Sequence, residues 1–224
     1  MQPYFLPYFG YFQLIHSVDN FILYNDVQFM KQGWINRNRI SINNQEQFIN
    51  VPLLKISSNK TIHETQINHS QVNNWLKKTS RSVLQSYSKA LNLEVGMNLI
   101  EDIGSEISNF VTVDQLNKFI IEKVCSYLDI STTISVSSDL FESSNLKGQE
   151  RVLNICKSMS ANRYINAIGG QELYSKEMFL SEGIQLGFLE SQISDEPYNY
   201  SILHTIMVED KKDIQDKLNS YRVI

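Results

Sequence analysis

Apolar positions along the chain repeat with two different periods, which predict strands at some places and helices at others. A two-residue period predicts extended segments at residues 21–24, 34–42, 48–53 and 134–136. A period near 3.6 residues predicts a short helix within 7–18 and longer helices over about 70–88, 95–110 and 114–128. Asp114 is predicted as the N-cap of the last of these helices, because its carboxylate can accept a hydrogen bond from the first turn.

The clearest unit of the sequence lies between residues 149 and 189. A helix is predicted at 149–158, with Val152, Ile155 and Cys156 on its buried face. It is followed by a strand at 163–166, a turn at Gly169 and Gly170, a helix at 172–182 and a strand at 184–189. The order strand, glycine turn, helix, strand is typical of a βαβ unit with parallel strands. The tail over 201–223 is predicted to be helical.

We therefore expect an α/β fold that has a mixed or parallel sheet, flanking helices and a largely helical middle segment. The 224 residues are enough to bury a core that needs no disulfide or metal to hold it together. We predict a single domain over 1–224, in which about 70–130 form a helical subdomain.

The composition excludes several classes of protein. Hydrophobic residues make up 42% and charged residues 20% of the chain, which excludes wholesale disorder. The net charge of −4 leaves no excess of Lys and Arg for nucleic-acid binding, so we expect no nucleic-acid partner. No apolar run reaches the roughly 18 residues that a membrane-spanning helix needs. Two distant cysteines, Cys125 and Cys156, and a start without a basic region favour free thiols and a cytoplasmic location.

Three kinds of chemical site find little support in the sequence. The four histidines, His16, His63, His69 and His204, lack the spacing of metal ligands, so we predict no metal site. The glycine pair at 169–170 opens a predicted helix and can meet an anion there, although a plain tight turn explains it as well. Cys156 precedes Lys157, which favours a reactive thiol, but its helical spacing points it inward as an inert one.

Aromatic residues are concentrated in the first 34 positions, where they alternate with amides and carboxylates. They are Tyr4, Phe5, Tyr8, Phe9, Tyr11, Phe12, Phe21, Tyr24, Phe29 and Trp34. Two interpretations remain open. The rings can form the core of the fold, or they can form a recognition wall for a planar or sugar-like ligand.

The stretch 24–40 carries the densest set of polar groups. Extended backbone over 34–40 would place Arg37 and Arg39 on one face, where guanidinium groups can bind a phosphate or carboxylate. Trp34 would then share the other face with Asn36 and Asn38, in an arrangement that suits a sugar or a nucleotide. An ordinary hydrated hairpin is the alternative. Asp26 directly follows an apolar strand, where open α/β sheets collect ligand-binding residues.

Three segments in particular, at 2–15, 24–28 and 34–40, resemble the WbqC-like protein family, and the likeness extends in order over essentially the whole chain. This resemblance implies a role in bacterial O-antigen or other surface-polysaccharide biosynthesis. It further implies a transferase that moves an acyl or aminoacyl group, such as glycyl, to an amino sugar.

The sequence departs from the family pattern at three places. Met1 directly precedes Gln2 where family members have a short apolar strand, so either a first strand belongs before Met1 or another segment takes its place. Asn25 stands where the family has an aspartate, which leaves Asp26 as the acid. His204 stands where the family has a late aspartate, so His204 takes over its duty or this copy is impaired.

The resemblance and the residues together predict a set of roles. Asp26 or His204 is expected to act as the base, and Gln2, Asn38 or backbone N–H groups to stabilise the oxyanion. Arg37 or Lys31 is expected to hold the phosphate of a sugar nucleotide. Further substrate-binding residues are predicted at Tyr4, Tyr8, Gln28, Trp34, Tyr164, Tyr174 and Ser201. We expect the opening stretch and the 34–40 segment to form the walls of a single cavity.

The implied donor is a thioester carried on phosphopantetheine or coenzyme A, with an acyl carrier protein as a partner. The implied acceptor is a sugar nucleotide or amino sugar. Two other functions stay open on the sequence. One is a nucleotide-binding α/β enzyme of the nucleotidyltransferase-like type, and the other is a non-catalytic binding subunit of a polysaccharide assembly complex.

Overall fold

Helices and short strands alternate in the computed structural model, which describes residues 1–42, 45–57, 59–141, 146–193, 195 and 197–224. The helices are α1 (Phe9–His16), α2 (His69–Ser86), α3 (Leu93–Glu106), α4 (Val113–Tyr127), α5 (Ser137–Leu140), α6 (Gly148–Ser158), α7 (Lys176–Ser181), α8 (Ile202–Val208) and α9 (Lys211–Lys217). The strands are β1 (Asn20–Leu23), β2 (Arg37–Ile42), β3 (Gln45–Asn50), β4 (Thr133–Val136), β5 (Arg163–Ala167), β6 (Gln185–Ser191) and β7 (Tyr221–Val223). This arrangement of helices with parallel and mixed small sheets is an α/β fold, as predicted.

Strands β1 and β4 form a parallel pair, although α2, α3 and α4 separate them along the chain. The register runs from Asn20 beside Thr133 to Leu23 beside Val136. The backbone of Met1 lies parallel beside β1, because its amino group donates to the carbonyl of Ile22 (3.0 Å) and its carbonyl accepts from the N–H of Tyr24 (2.6 Å). The chain after Met1, after β1 and after β4 therefore emerges at one edge.

Strands β2 and β3 form an antiparallel hairpin, in which Arg37 pairs with Asn50 and Ile42 with Gln45. The predicted strand at 34–42 is three residues too long, because β2 begins only at Arg37. Distant groups bind the preceding backbone. The N–H of Phe5 donates to the carbonyl of Trp34 (2.9 Å), and a side chain of α4 binds the carbonyl of Ile35.

The predicted βαβ unit is present, since β5 and β6 pair in parallel and α7 lies between them. The helix predicted at 172–182 is wrong in extent. A 3₁₀ segment covers Ile168–Leu173, and α7 begins only at Lys176. The helical tail predicted at 201–223 is also wrong, because α8 and α9 are separate short helices and β7 pairs antiparallel with β6. The edge of β6 supplies backbone hydrogen-bond partners for β7, and the periodicity of residues 201–223 does not reveal them.

The main core contains most of the opening aromatic rings, packed against α3, α4 and α8. Phe5, Phe9, Tyr11 and Phe12 are fully buried, so the core interpretation holds for them. Tyr8 and Trp34 keep more than a third of their surface exposed. A second apolar cluster lies between α6, α7 and β6. Of the helices that the structure describes, none is long and apolar enough to span a bilayer.

Gln13 joins the first helix to the end of the chain. It lies on α1 and is fully buried. Its side-chain amide donates to the backbone carbonyls of Lys217 (3.0 Å) and Ser220 (3.1 Å), which precede β7. More than 200 residues separate the two ends of this contact along the chain.

Candidate functional site

The carboxyl ends of β1 and β4 bring a group of polar side chains together. Asn25 follows β1, and its amide donates to Asp114 Oδ2 (2.7 Å) and to Ser138 Oγ (2.9 Å). Its side-chain oxygen accepts from the backbone N–H of Ser138 (3.1 Å), just after β4. The predicted N-cap role of Asp114 is therefore wrong. Its carboxylate turns inward to Asn25. The N-cap of α4 is Thr112, which forms a capping box with Gln115, and the Gln115 side-chain oxygen accepts from the backbone N–H groups of Val111 (2.8 Å) and Thr112 (3.2 Å).

Asp26 lies at the same edge and forms an ion pair with Arg151 of α6. Asp26 Oδ2 accepts from Arg151 Nη2 at 2.9 Å, and Oδ1 accepts from the hydroxyl of Ser137. The Arg151 side chain is 3% exposed and that of Asp26 is 15% exposed. The two opposite charges therefore balance each other almost entirely out of contact with solvent, and the carboxylate retains a small open face.

Tyr24 lies beside this ion pair, and Tyr164 and Tyr174 lie near Tyr24. Burial raises the pKa of Tyr24, and the nearby Asp26 carboxylate raises it further, while Arg151 acts in the opposite direction. Burial also raises the pKa of Tyr164 well above its ordinary value, and the neighbouring Tyr174, 5.8 Å away between ring centroids, adds to this effect. The phenols of Tyr24 and Tyr164 are therefore protonated at neutral pH and can donate hydrogen bonds.

A short backbone ribbon places His63 next to Asp26. The N–H of His63 donates to the carbonyl of Asn25 (3.1 Å), and that of Ile62 donates to the carbonyl of Val27 (2.9 Å). Asp26 lies between these two acceptor residues along the chain, so the backbone of His63 runs beside that of Asp26. Gln28 belongs to the same ribbon, and its side chain is exposed.

The pairing of Met1 with β1 brings Gln2 to this edge. Gln2 follows Met1 in the strand-like segment beside β1, and its carbonyl accepts from the Tyr11 hydroxyl (2.9 Å). The Tyr4 ring lies 5.6 Å from that of Tyr11. Burial raises the pKa of Tyr4 and of Tyr8, so both phenols are protonated at neutral pH.

The outer face of the β2–β3 hairpin carries a second group of predicted residues. Trp34 stacks on Phe48, and the guanidinium of Arg39 lies 5.5 Å from the Trp34 ring centroid. Arg37 lies 4.5 Å above the ring of Phe48. The predicted separation of Trp34 from the arginines is wrong, because residues 34–36 bend before the strand begins and Trp34 turns onto the arginine face. Lys31 is exposed.

Asn38 points away from this group, into the contact between β2 and the opening stretch. Its amide donates to the carbonyls of Phe5 (3.0 Å) and Leu6 (2.8 Å), and its side-chain oxygen accepts from the N–H of Arg39 (2.8 Å). The opening stretch and the 34–40 segment thus meet, as expected. The space between them, where a cavity was expected, is filled by buried groups. A cavity of about 320 Å³ lies instead near the start of β1, lined by His16, Ser17, Val18, Asp19, Asp129, Ser131 and Thr132.

His204 and Ser201 belong to the β2 side of the molecule. His204 is 7% exposed, and its Nδ1 lies 2.6 Å from the Tyr87 hydroxyl, which accepts from the N–H of Ser41. Ser201 is fully buried, and its N–H donates to the carbonyl of Arg39. Among the contacts described, none joins His204 to Asp26. The predicted residues therefore divide into an Asp26 group, with Tyr164 and Tyr174, and a β2 group.

Sequence reasoning missed Arg151 and gave His63 no role. Arg151 directly precedes Val152, the first residue of the predicted buried face of its helix, and a charged residue at such a boundary is a usable signal. The signal for His63 was weaker, because only the pairing of 60–63 with 25–29 reveals its position. Within the described parts of the chain, no three His, Cys, Asp or Glu residues are arranged to hold a metal ion.

Both cysteines should be unreactive in the native protein. Burial raises the pKa of the Cys125 thiol to about 12 and that of the Cys156 thiol to about 11. Both thiols are therefore protonated near neutral pH and shielded from reagents. A coloured thiol reagent should label neither cysteine under native conditions and both in guanidinium chloride. Rapid native labelling of either one would contradict this expectation.

Fold and site together define an α/β protein that has a polar, ion-paired site at the carboxyl edge of a parallel strand pair. The model of the WbqC-like protein family matches residues 2–210, so the chain belongs to this family, as its motifs indicate. Uncharacterized protein Rv1507c from Mycobacterium tuberculosis is 32% identical over 180 residues, which cover 80% of this chain and 75% of that protein. No solved structure matches the chain significantly.

Proposed function

We propose that this protein transfers an acyl or aminoacyl group, such as glycyl, to the amine of an amino sugar in bacterial surface-polysaccharide (O-antigen) biosynthesis. Family membership and one structural observation support this proposal. The observation is that Asp26 lies at the carboxyl edge of the parallel β1–β4 pair, where ligands bind in open α/β sheets, and keeps part of its carboxylate accessible.

The Asp26 carboxylate is suited to hold the acceptor amine. Each of its oxygens accepts one hydrogen bond, from Ser137 or Arg151, and each retains a lone pair for a substrate N–H. Arg151 and Ser137 fix the orientation of the carboxylate, which places the amine reproducibly. Gln2 and the phenols of Tyr24 and Tyr174 provide donors for sugar hydroxyls and for the oxyanion.

The transfer itself exchanges one acyl bond for another. The amine nitrogen attacks the carbonyl carbon of a thioester, a C–N bond forms, and the C–S bond breaks. The proton lost by the amine ends on the leaving thiol, so the products are an amide and a free thiol. The thioester is carried on phosphopantetheine or coenzyme A, with an acyl carrier protein as the partner in the first case.

We assign the nucleotide part of a nucleotide-linked acceptor to the β2 group, which is separate from the Asp26 group. Trp34 offers an exposed ring for stacking, and Arg37 and Lys31 offer positive charge for phosphate. Gln28, Asn38, Tyr8, Ser201 and His204 are retained as candidates. The two buried cysteines, which form no disulfide, are consistent with a cytoplasmic enzyme.

The test combines the protein with aminoacyl- and acyl-thioesters and a panel of nucleotide-linked amino sugars, and mass spectrometry detects the amide. Wild-type protein should form product, and Asp26→Asn should lower the rate about 100-fold, because the amine loses the carboxylate that holds it. Asp19→Asn is the matched control, since Asp19 is an exposed carboxylate at the opposite end of β1. If the wild type forms no amide with any pair, the proposed function is wrong.

A further inference from the structure

The imidazole of His63 is held through one of its two ring nitrogens. Nδ1 lies 3.1 Å from Thr61 Oγ1 and 3.3 Å from the backbone carbonyl oxygen of Asn25. The same carbonyl accepts from the backbone N–H of His63 (3.1 Å), so both ring and backbone are tied to the residue before Asp26. Among the described residues, none forms a hydrogen bond with Nε2, and His63 is only partly buried.

The partners of Nδ1 determine which nitrogen carries the proton in neutral imidazole. A backbone carbonyl can only accept a hydrogen bond. The hydroxyl of Thr61 donates its proton to Glu64 Oε2 (2.8 Å), so it too faces Nδ1 with a lone pair. Hydrogen bonds from the N–H and hydroxyl of Thr61 lower the pKa of Glu64, which keeps this carboxylate an acceptor at neutral pH. Nδ1 therefore carries the proton, and Nε2 presents its lone pair.

We propose that His63 Nε2 is the proton acceptor for the amine that Asp26 holds. This inference rests on the proposed function. The amine forms its C–N bond to the thioester carbon while its proton passes to Nε2, and the C–S bond breaks. The imidazolium then returns the proton to the departing thiolate, which leaves His63 neutral and the amide formed.

The surroundings of His63 suit a role as proton acceptor. In the imidazolium form both nitrogens are donors, so the Nδ1 bonds to Asn25 and Thr61 persist through the cycle. Glu64 on the same turn interacts electrostatically with both His63 and Lys60, and the backbone of Asp26 lies across the ribbon. Asp26 is balanced by Arg151, and the carboxylate of Glu64 stabilises the transient positive charge.

The tautomer can be measured without any substrate. Long-range proton–nitrogen NMR spectra of ¹⁵N-labelled protein near neutral pH should show a protonated Nδ1 and an unprotonated Nε2 for His63. The spectrum of His63→Asn assigns the signals by their disappearance. A proton on Nε2 in the wild-type protein would overturn the inference, whatever the activity of the enzyme.

Kinetics then test the role itself. His63→Asn keeps an amide donor near the position of Nδ1 but removes Nε2. It should lower kcat about 100-fold with little change in KM. His69→Asn, an exposed histidine at the start of α2, should behave as wild type.

The outcomes separate the two proposals. If wild-type protein forms the amide and His63→Asn is equally fast, the inference about His63 is wrong and the proposed function stands. If wild-type protein forms no amide with any substrate pair, the proposed function fails and the proton-acceptor role fails with it.

Discussion

Replacing Asp26 by alanine should lower the free energy of unfolding by about 3–5 kcal/mol. The change removes a carboxylate that pairs with Arg151, whose side chain is only 3% exposed. Water cannot replace the carboxylate without opening the packing between α6 and the ends of β1 and β4. Urea unfolding followed by circular dichroism measures the loss.

Replacing Arg151 should lower the free energy of unfolding by less than replacing Asp26. Arg151→Met keeps most of the buried volume and leaves Asp26, whose 15% exposure allows some hydration. The pair Asp26→Leu with Arg151→Met should recover part of the loss, because the double variant replaces both buried charges by apolar side chains. Glu46→Ala is the control, since its ion pair with Arg39 is exposed and is worth less than about 1 kcal/mol. An Asp26→Ala variant as stable as Glu46→Ala would contradict the account of this ion pair.

Asn38→Leu should lower the free energy of unfolding by at least about 3 kcal/mol, since each buried polar group that loses its partner costs about 1–3 kcal/mol. The change removes the donors to the carbonyls of Phe5 and Leu6 and the acceptor for the N–H of Arg39. Leu6 also has a positive φ of 43°, a left-handed conformation that costs a non-glycine residue energy, and Asn38 helps to hold it.

Two further variants provide comparisons for the destabilisation expected of Asn38→Leu. Asn38→Asp keeps the shape and the acceptor for Arg39 but sets a carboxylate oxygen against two carbonyl oxygens, so it should also be strongly destabilised. Asn36→Ala removes a single bond of 3.3 Å to the carbonyl of Val51 and should cost about 1 kcal/mol. Equal midpoints of thermal and urea unfolding for Asn38→Leu and Asn36→Ala would show that Asn38 does not organise the opening stretch.

Local sequence patterns were sufficient to predict an element where its own residues stabilise it. The helix at Gly148–Ser158 carries Val152 and Cys156 inward at helical spacing, and the strands β5 and β6 follow as predicted. The prediction that Asp26 lies at the end of a strand needed only the apolar run before it. These features depend on neighbours a few residues away, which periodicity reports directly.

The features that the sequence did not predict depend on contacts between residues that are far apart along the chain. Residues 34–36 alternate as a strand does, but Phe5 and the side chain of Asn117 bind their backbone, so the strand begins later. The strand β7 exists because β6 has a free edge to which it pairs. Arg151 stands 125 residues from Asp26, and no local pattern can pair two positions so far apart.

The contact of Gln13 with the carbonyls of Lys217 and Ser220 has a consequence for biosynthesis. A ribosome makes α1 more than 200 residues before the two carbonyls to which the buried side-chain N–H groups of Gln13 donate. Until then, the amide has water or transient partners, and the aromatic face of α1 lacks its final cover. Domains dominated by such long-range contacts fold slowly. The nascent chain should therefore resist proteases only after residues 217–220 have left the exit tunnel of the ribosome and can reach α1.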